Sequence, residues 1–368
     1  MMKKIICLVL IAVCALTPIL TSCTGGNSGI TGGEGGNNYV TRSRVVSYTH
    51  FNTVSSIYSY GEATEEEFNE YVRIVDETLE YYHKLFDIYY AYAGVKNIAN
   101  INASAGKKAV EVDSAMIDFL LYCKELFTLT KGETNVMLGS VLKIWHNARE
   151  EANDEDNENY GYLDPSRLPD EAALIEAAKH TSIDSLVIDE EASTVYISDP
   201  EASLDVGAVA KGYVVEILYN KLVEMGADSV ALNIGGNLRT IGKKPGGESW
   251  VTGIQNPDKT SSESIKCRVE IGDSSIVTSG DYERYFFSGE NKYHHIIDPD
   301  TLFPADYFAS VSILTRDSGL ADALSTALFC MSYEDGLALV EAIGGVDVIW
   351  IYKDGTMKHT VGISFVGK

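Results

Sequence analysis

The chain has 368 residues, 45% of them hydrophobic, and 29 Lys and Arg against 53 Asp and Glu give a formal net charge of −24. So acidic a surface excludes a non-specific nucleic-acid binder and a protein drawn electrostatically to an anionic membrane face. The length allows one large domain, or two intimately packed halves, with a sizeable core.

The chain opens MMKKIICLVLIAVCALTPILTSC, two lysines followed by an apolar run too short and Pro-interrupted for a membrane span. Residues 1–22 therefore read as a secretory signal, to be set aside before fold reasoning. The ending Leu20-Thr21-Ser22-Cys23 resembles the lipobox of bacterial lipoproteins, which makes Cys23 the lipidated first residue of the mature chain; an ordinary cleaved signal is the alternative. Residues 23–40, rich in Gly, Ser and Asn, have nothing to bury and read as a flexible tether ahead of a domain over 41–368. Beyond Cys23 only Cys123, Cys267 and Cys330 remain, in apolar or strand-like settings, so no disulfide framework is expected.

Thr64 and Glu67 have capping-box spacing, and Phe68, Tyr71, Val75, Leu79, Tyr82 and Phe86 follow in steps of three and four. The pattern predicts a long helix with one buried face. A second helix is expected from about Ser114 to Lys131, stopped by Gly132, and a third from near Ala208 to Gly226. Between them, Arg149 to Gly161 is acidic without apolar periodicity and reads as a solvated loop; a calcium site is the alternative, although the spacing matches no established calcium-loop motif. The β-branched runs SLVID, TVYIS, SVALNI, ASVSILT and VIWIYKDGTMKHTV predict strands, the last a hairpin turning at Asp354-Gly355. Strands that come in hairpins and outnumber helices suggest an α+β fold, mainly antiparallel sheet flanked by helices.

Four segments place polar groups where packing alone would not. In LDVGAVAKGY, Asp205 precedes a helix start at which backbone N–H groups and Lys211 face one mouth, suited to a phosphate; read alone it is equally a plain helix start with a surface Lys. In LNIGGNLRTIG, Gly235-Gly236 after a buried strand makes either a tight turn or a close backbone approach to a ligand, without the dinucleotide-binding fingerprint. In YHHIIDPDT, His295 sits at a strand end where an imidazole can act as acid or base; a hydrogen-bonded structural His is the alternative. In LADALSTALF, Asp322, Ser325 and Thr326 share a helix face. They offer hard oxygens of the kind Mg²⁺ accepts, and a metal would relieve a buried carboxylate; local back-bonding to the helix is the alternative.

Taken in order, DVGAVAKGY, LNIGGNLRTIGKKP, GIQNP, TSGDYERYF, YHHIIDPDT and LADALSTALF strongly resemble the ApbE family of flavin transferases, also called FAD:protein FMN transferases, from about Tyr48 to Phe365. The resemblance implies Mg²⁺-dependent cleavage of FAD between its phosphates, transfer of FMN to a Thr or Ser hydroxyl of a target protein, and release of AMP, in a cleft between two packed halves. It makes Asp322 and Thr326 Mg²⁺ ligands, with the Ala208 carbonyl and Ser325 completing the shell. It implies FAD contacts from Phe51, Thr134, Asn135, Val136, Asp205, Lys211, Gly235, Gly236 and Ile296, and it makes His295 the base, with His294 on the other side of the strand.

The chain departs from the family pattern at Phe51, often Met; at Asn135, usually Asp; at Met137, usually Thr; at Asn237, commonly Asp; and at Leu302, usually Gly. The expected partners are FAD and acceptor flavoproteins of extracytoplasmic electron-transfer complexes, with no nucleic acid, and with the membrane reached only through the lipid anchor in the bacterial envelope. A Mg²⁺-dependent FAD pyrophosphatase and a non-catalytic FAD-binding lipoprotein are the alternatives.

Overall fold

The structure, a computed structural model, describes residues 40–367; the expected signal, Cys23 and all of the tether but Val40 lie outside them. In chain order the elements are β1 (Val40–Ser47), β2 (Ser55–Gly61), α1 (Glu65–Phe86), α2 (Ile98–Ala103), β3 (Val110–Glu111), α3 (Ser114–Leu129), α4 (Gly139–Ala152), α5 (Glu171–Ala178), β4 (Leu186–Asp189), β5 (Thr194–Ile197) and α6 (Ala210–Glu224). Then follow β6 (Ser229–Ile234), β7 (Asn237–Gly242), β8 (Trp250–Gln255), β9 (Ile265–Ile271), β10 (Ser275–Gly280), β11 (Tyr285–Ser288), β12 (Asn291–His294), β13 (Ser310–Thr315), α7 (Ser318–Cys330), α8 (Tyr333–Ile343), β14 (Asp347–Ile351) and β15 (Met357–His359).

The capping box of α1 is formed in both directions: Glu67 N–H donates to Thr64 Oγ1 at 3.2 Å, and Thr64 N–H donates to Glu67 Oε2 at 2.7 Å. The apolar residues read from the sequence are its buried face. α3 and α6 end within two residues of the expected Lys131 and Gly226 boundaries.

Eight strands form one sheet in the order β1-β2-β6-β7-β10-β13-β14-β15, every neighbouring pair antiparallel. β6 shows why the sheet sits between two layers. Val230, Leu232 and Ile234 pack with Val214, Val215 and Leu218 of α6, while Ala231 faces Trp250 and Ile271 of the β8–β9 hairpin. A period of two delivers alternate side chains to opposite cores. The α+β reading holds.

Arg149 to Ala152 do not belong to a loop but form the last turn of α4. That helix keeps its buried stripe with small residues, Ala148 and Ala152, which the surrounding charges hide. The acidic segment after it is docked as well: Phe287 N–H donates to the Gly161 carbonyl, and Leu163 N–H to the Phe287 carbonyl, both at 2.8 Å. Cys123, Cys267 and Cys330 are free thiols. Among the described residues no helix is long and apolar enough to cross a membrane.

Candidate active site

The start of α6 and the middle of α7 meet at Asp322. Gly212 N–H, which a regular helix would direct to the Ala208 carbonyl, donates instead to Asp322 Oδ2 at 2.9 Å. Glycine is required at 212, because a Cβ there would collide with the Ser318 carbonyl and Asp322 Cβ. Lys211 Nζ lies 3.5 Å from Asp322 Oδ2 and 3.4 Å from the Gly207 carbonyl. Asp322 is 5% exposed, and burial raises its pKa against the opposing pull of Lys211 and Gly212 N–H.

The three oxygens of α7 diverge. Ser325 Oγ donates to the Asp322 carbonyl at 2.8 Å and lies 2.8 Å from Ser279 Oγ on β10. Half-buried Thr326 is one turn beyond Asp322, and among the described residues its hydroxyl has no hydrogen bond. Steps of three and four residues fall on opposite sides of the starting residue by roughly 60° and 40°, which separates Ser325 from Thr326.

β11 and β12 pair Tyr285 with His294 and carry the chain to His295. His294 is structural: its Nε2–H donates to the Ala305 carbonyl at 2.9 Å, and its Nδ1 accepts Ile296 N–H at 3.2 Å. Burial pushes its pKa down to about 4. His295 Nδ1 is buried with no protein partner, an orphan of the kind a water or ligand completes. Burial, then the charge of Arg284, hold the His295 pKa well below 6.5, so its imidazole is neutral at physiological pH.

Sequence reasoning passed over Tyr89, His146, Arg149 and Arg284, whose electrostatic reach extends to Asp205 or His295. Arg149 Nη2–H donates to His146 Nδ1 at 2.7 Å, and the half-exposed Tyr89 ring tilts against His146 at 5.1 Å. The available sign was the i, i+3 spacing of His146 and Arg149, legible only once α4 is recognised. Half-buried Asp205 accepts Gly207 N–H at 3.0 Å; burial raises its pKa, with His146, Arg149 and Arg284 among the opposing influences.

The remaining predicted FAD contacts fall on three loops. Phe51 has φ 54°, a strained conformation for a bulky residue, and packs edge-on to His83. Its loop meets Gly235, whose N–H donates to the Val54 carbonyl and where a Cβ would collide with Thr53. Gly235 and Gly236, with φ of 58° and 90°, form the two-residue turn between β6 and β7. Thr134 Oγ1 donates to the Ala323 carbonyl of α7 at 2.8 Å, and Val136 receives Asp205 N–H at 2.8 Å. Both Ile296 backbone groups have protein partners, His294 Nδ1 and Ala305 N–H.

Three departures have definable local surroundings. Asn135 donates its amide to the Thr181 carbonyl at 2.9 Å, which a carboxylate could not do. Leu302 takes φ 66° where the family usually has Gly, its carbonyl accepting Trp145 Nε1–H at 2.8 Å. Asn237 is 1% exposed and its amide lowers the pKa of Asp322; a second carboxylate at that position would repel the first.

The ApbE family profile matches residues 51–350, which contain all of these groups. An FAD:protein FMN transferase of Treponema pallidum is 34% identical over 282 residues, 72% of this chain and 73% of that protein. Among solved structures, the ApbE protein of Thermotoga maritima aligns with a TM-score of 0.70 at 25% identity, covering 83% of this chain and 94% of the other. The flavin transferase ApbE of Vibrio cholerae gives 0.69 at 25% identity, covering 89% and 97%. With a family profile spanning most of its length and its fold matched over nearly all of these proteins, the chain belongs to the ApbE family.

Proposed function

We propose that this protein is an FAD:protein FMN transferase, which cleaves FAD between its phosphates and joins the FMN half to a Thr or Ser hydroxyl of an acceptor protein, with AMP as the leaving group. The observation that carries the reading is the capture of Gly212 N–H by Asp322, which leaves the Ala208 carbonyl unclaimed by its helix beside a buried carboxylate. A carboxylate, a carbonyl and the Thr326 hydroxyl are hard oxygens that fit Mg²⁺. Asp322, Thr326 and the Ala208 carbonyl would hold the ion, with Ser325 buttressing Asp322 from its own backbone. When bound, Mg²⁺ supplies charge neutralisation for the diphosphate and the departing phosphate oxygen.

The chain's own groups supply the rest. Lys211 and the N-terminal turn of α6 hold FAD phosphate oxygens. His295, kept neutral, takes the acceptor hydroxyl proton on its imidazole. The oxygen then bonds to the FMN phosphorus as the bond to the AMP phosphate oxygen breaks. Phe51, Thr134 to Val136, Asp205, Gly235, Gly236 and Ile296 contribute the flavin and nucleotide contacts. The acceptors are extracytoplasmic redox proteins, met by an enzyme anchored through Cys23 in the bacterial envelope on the periplasmic side. Cys23→Ser should move the protein out of the membrane fraction, and a variant that stays there removes the anchor.

The test combines the protein, FAD, Mg²⁺ and a candidate acceptor, following acceptor mass and AMP with and without EDTA. Gain of one FMN mass with equimolar AMP, only when Mg²⁺ is present, is expected. Free FMN and AMP with an unmodified acceptor would instead make it a pyrophosphatase, and FAD bound but intact would make it a binding lipoprotein.

A further inference from the structure

Two guanidinium groups, those of Arg149 and Arg284, bear on His295, and Asp205 is a carboxylate within electrostatic reach of both. Arg149, in the last turn of α4, has a side chain only 20% exposed; its nearest carboxylate partner is Glu150, exposed and 3.9 Å away. Arg284 precedes β11, and continuing the register one step past the Tyr285–His294 pair sets it opposite His295. Among the described residues Arg284 has no hydrogen bond or ion pair. The two cations feel each other, since burial and then Arg284 lower the Arg149 pKa. Arg149 is largely covered and Arg284 is exposed; half-buried Asp205 is within electrostatic reach of both, and the open side of Arg284 leaves its guanidinium accessible to a phosphate.

Lys211 is differently placed. It already approaches Asp322 and the Gly207 carbonyl, and its charge bears on His295 less than that of Arg284 or Arg149. The site thus has two cationic positions, one at Asp322 and one at His295. In an in-line displacement the attacking and leaving oxygens stand on opposite sides of phosphorus, with the phosphoryl oxygens between. Cations beside the base meet the phosphate under attack, whereas Lys211 and Asp322 lie toward the leaving half.

We propose that Arg149 and Arg284 form a phosphate seat for the FMN half of FAD, holding FMN at His295 while AMP departs. The proposal rests on the transferase reading of the site. His146 fixes one edge of the Arg149 guanidinium through the 2.7 Å hydrogen bond and leaves the remaining N–H groups to the phosphate.

The experiment titrates FMN, riboflavin and AMP separately into the full chain and its Arg149→Gln, Arg149→Lys and Arg284→Gln variants. Riboflavin lacks only the phosphate, so it reports the flavin pocket and the integrity of the fold. Each Gln variant should lose about tenfold or more in FMN affinity, as expected for a hydrogen bond between charged groups, with riboflavin and AMP unchanged and Arg149→Lys less affected. The seat is overturned if FMN and riboflavin weaken together, if AMP weakens in place of FMN, if nothing changes, or if the wild-type chain binds FMN no better than riboflavin. A phosphate preference lost in the variants of a protein that never modifies an acceptor would keep the seat and remove the transferase reading, so the two failures are distinguishable.

Discussion

Gly212 N–H and Asp322 Oδ2, 2.9 Å apart, join α6 to α7 at the point where the Ala208 carbonyl is released from helical bonding. The bond exists because residue 212 has no side chain and the helices can touch there. Gly212→Ala should push them apart, costing about 2 kcal/mol as overpacked interiors do. Thermal unfolding would register a fall of several degrees, and titration with Mn²⁺ as a paramagnetic substitute for Mg²⁺ would register weaker binding. Unchanged melting and unchanged Mn²⁺ affinity would mean that the close contact does not set the site.

Asp322→Asn separates stability from function. The amide keeps the shape and can still accept Gly212 N–H, while the buried charge disappears. Since burial raises the Asp322 pKa, its ionised form disfavours the folded apoprotein at neutral pH, and the variant should melt at or above the wild-type temperature. Turnover should fall by at least about a hundredfold, the scale of losing one strong electrostatic contact in an active site, and Mg²⁺ should no longer raise the melting temperature. A variant that melts lower would make the Lys211–Asp322 pair chiefly structural.

Elements with strong local patterns were legible in the sequence. The Thr64–Glu67 box, the stripe on α1 and the Asp354-Gly355 hairpin each follow from residue chemistry a few positions apart. α4 was not, because its buried face relies on alanines amid charges. Arg149 and Arg284 were obscure for a different reason: they stand 135 residues apart in sequence, and only the packing of α4 near the β11–β12 hairpin brings their charges together. Likewise, helical spacing put oxygens on one side of α7, but the partner of Ser325 lies on β10 and was decided by tertiary packing.

His295 should give the pH profile of a base that stays neutral. Its free-enzyme pKa is held well below 6.5, so kcat/KM should persist as pH falls through 6.5 and decline only at lower pH, when the imidazole gains a proton. His295→Ala should slow transfer by roughly a hundredfold to ten-thousandfold while FAD still binds. Loss of FAD binding in that variant would make His295 a binding residue.

His294 makes a contrasting prediction about acid stability. Its folded pKa, about 4, lies below the ordinary 6.5, so between these values the unfolded chain binds a proton that the folded chain refuses. Its contribution is therefore complete above pH 6.5 and is lost as pH falls toward 4, by up to about 3 kcal/mol. His294→Gln should be less stable than wild type at pH 8, having lost its paired hydrogen bonds, yet decline less between pH 6.5 and 4. Parallel unfolding curves for the two proteins over that window would show that His294 is not held neutral.

Glu133 carries the opposite sign. It precedes Thr134, the tie to α7, and its Oε2 is buried without a partner. Burial, followed by Asp300, Asp298 and Asp335, raises its pKa to about 7. The folded chain thus keeps a proton that the unfolded chain releases above about pH 4.5, so the stability Glu133 provides is complete below that pH and is lost as pH rises to 7. Glu133→Gln is permanently neutral and should match wild type near pH 4, then exceed it at pH 8 by about 1 kcal/mol, allowing for solvent screening of a half-buried group. Chemical denaturation at the two pH values reads the difference directly. An equal wild-type-to-variant gap at both would show that the carboxylate is solvated, and would leave the Thr134 anchor independent of pH.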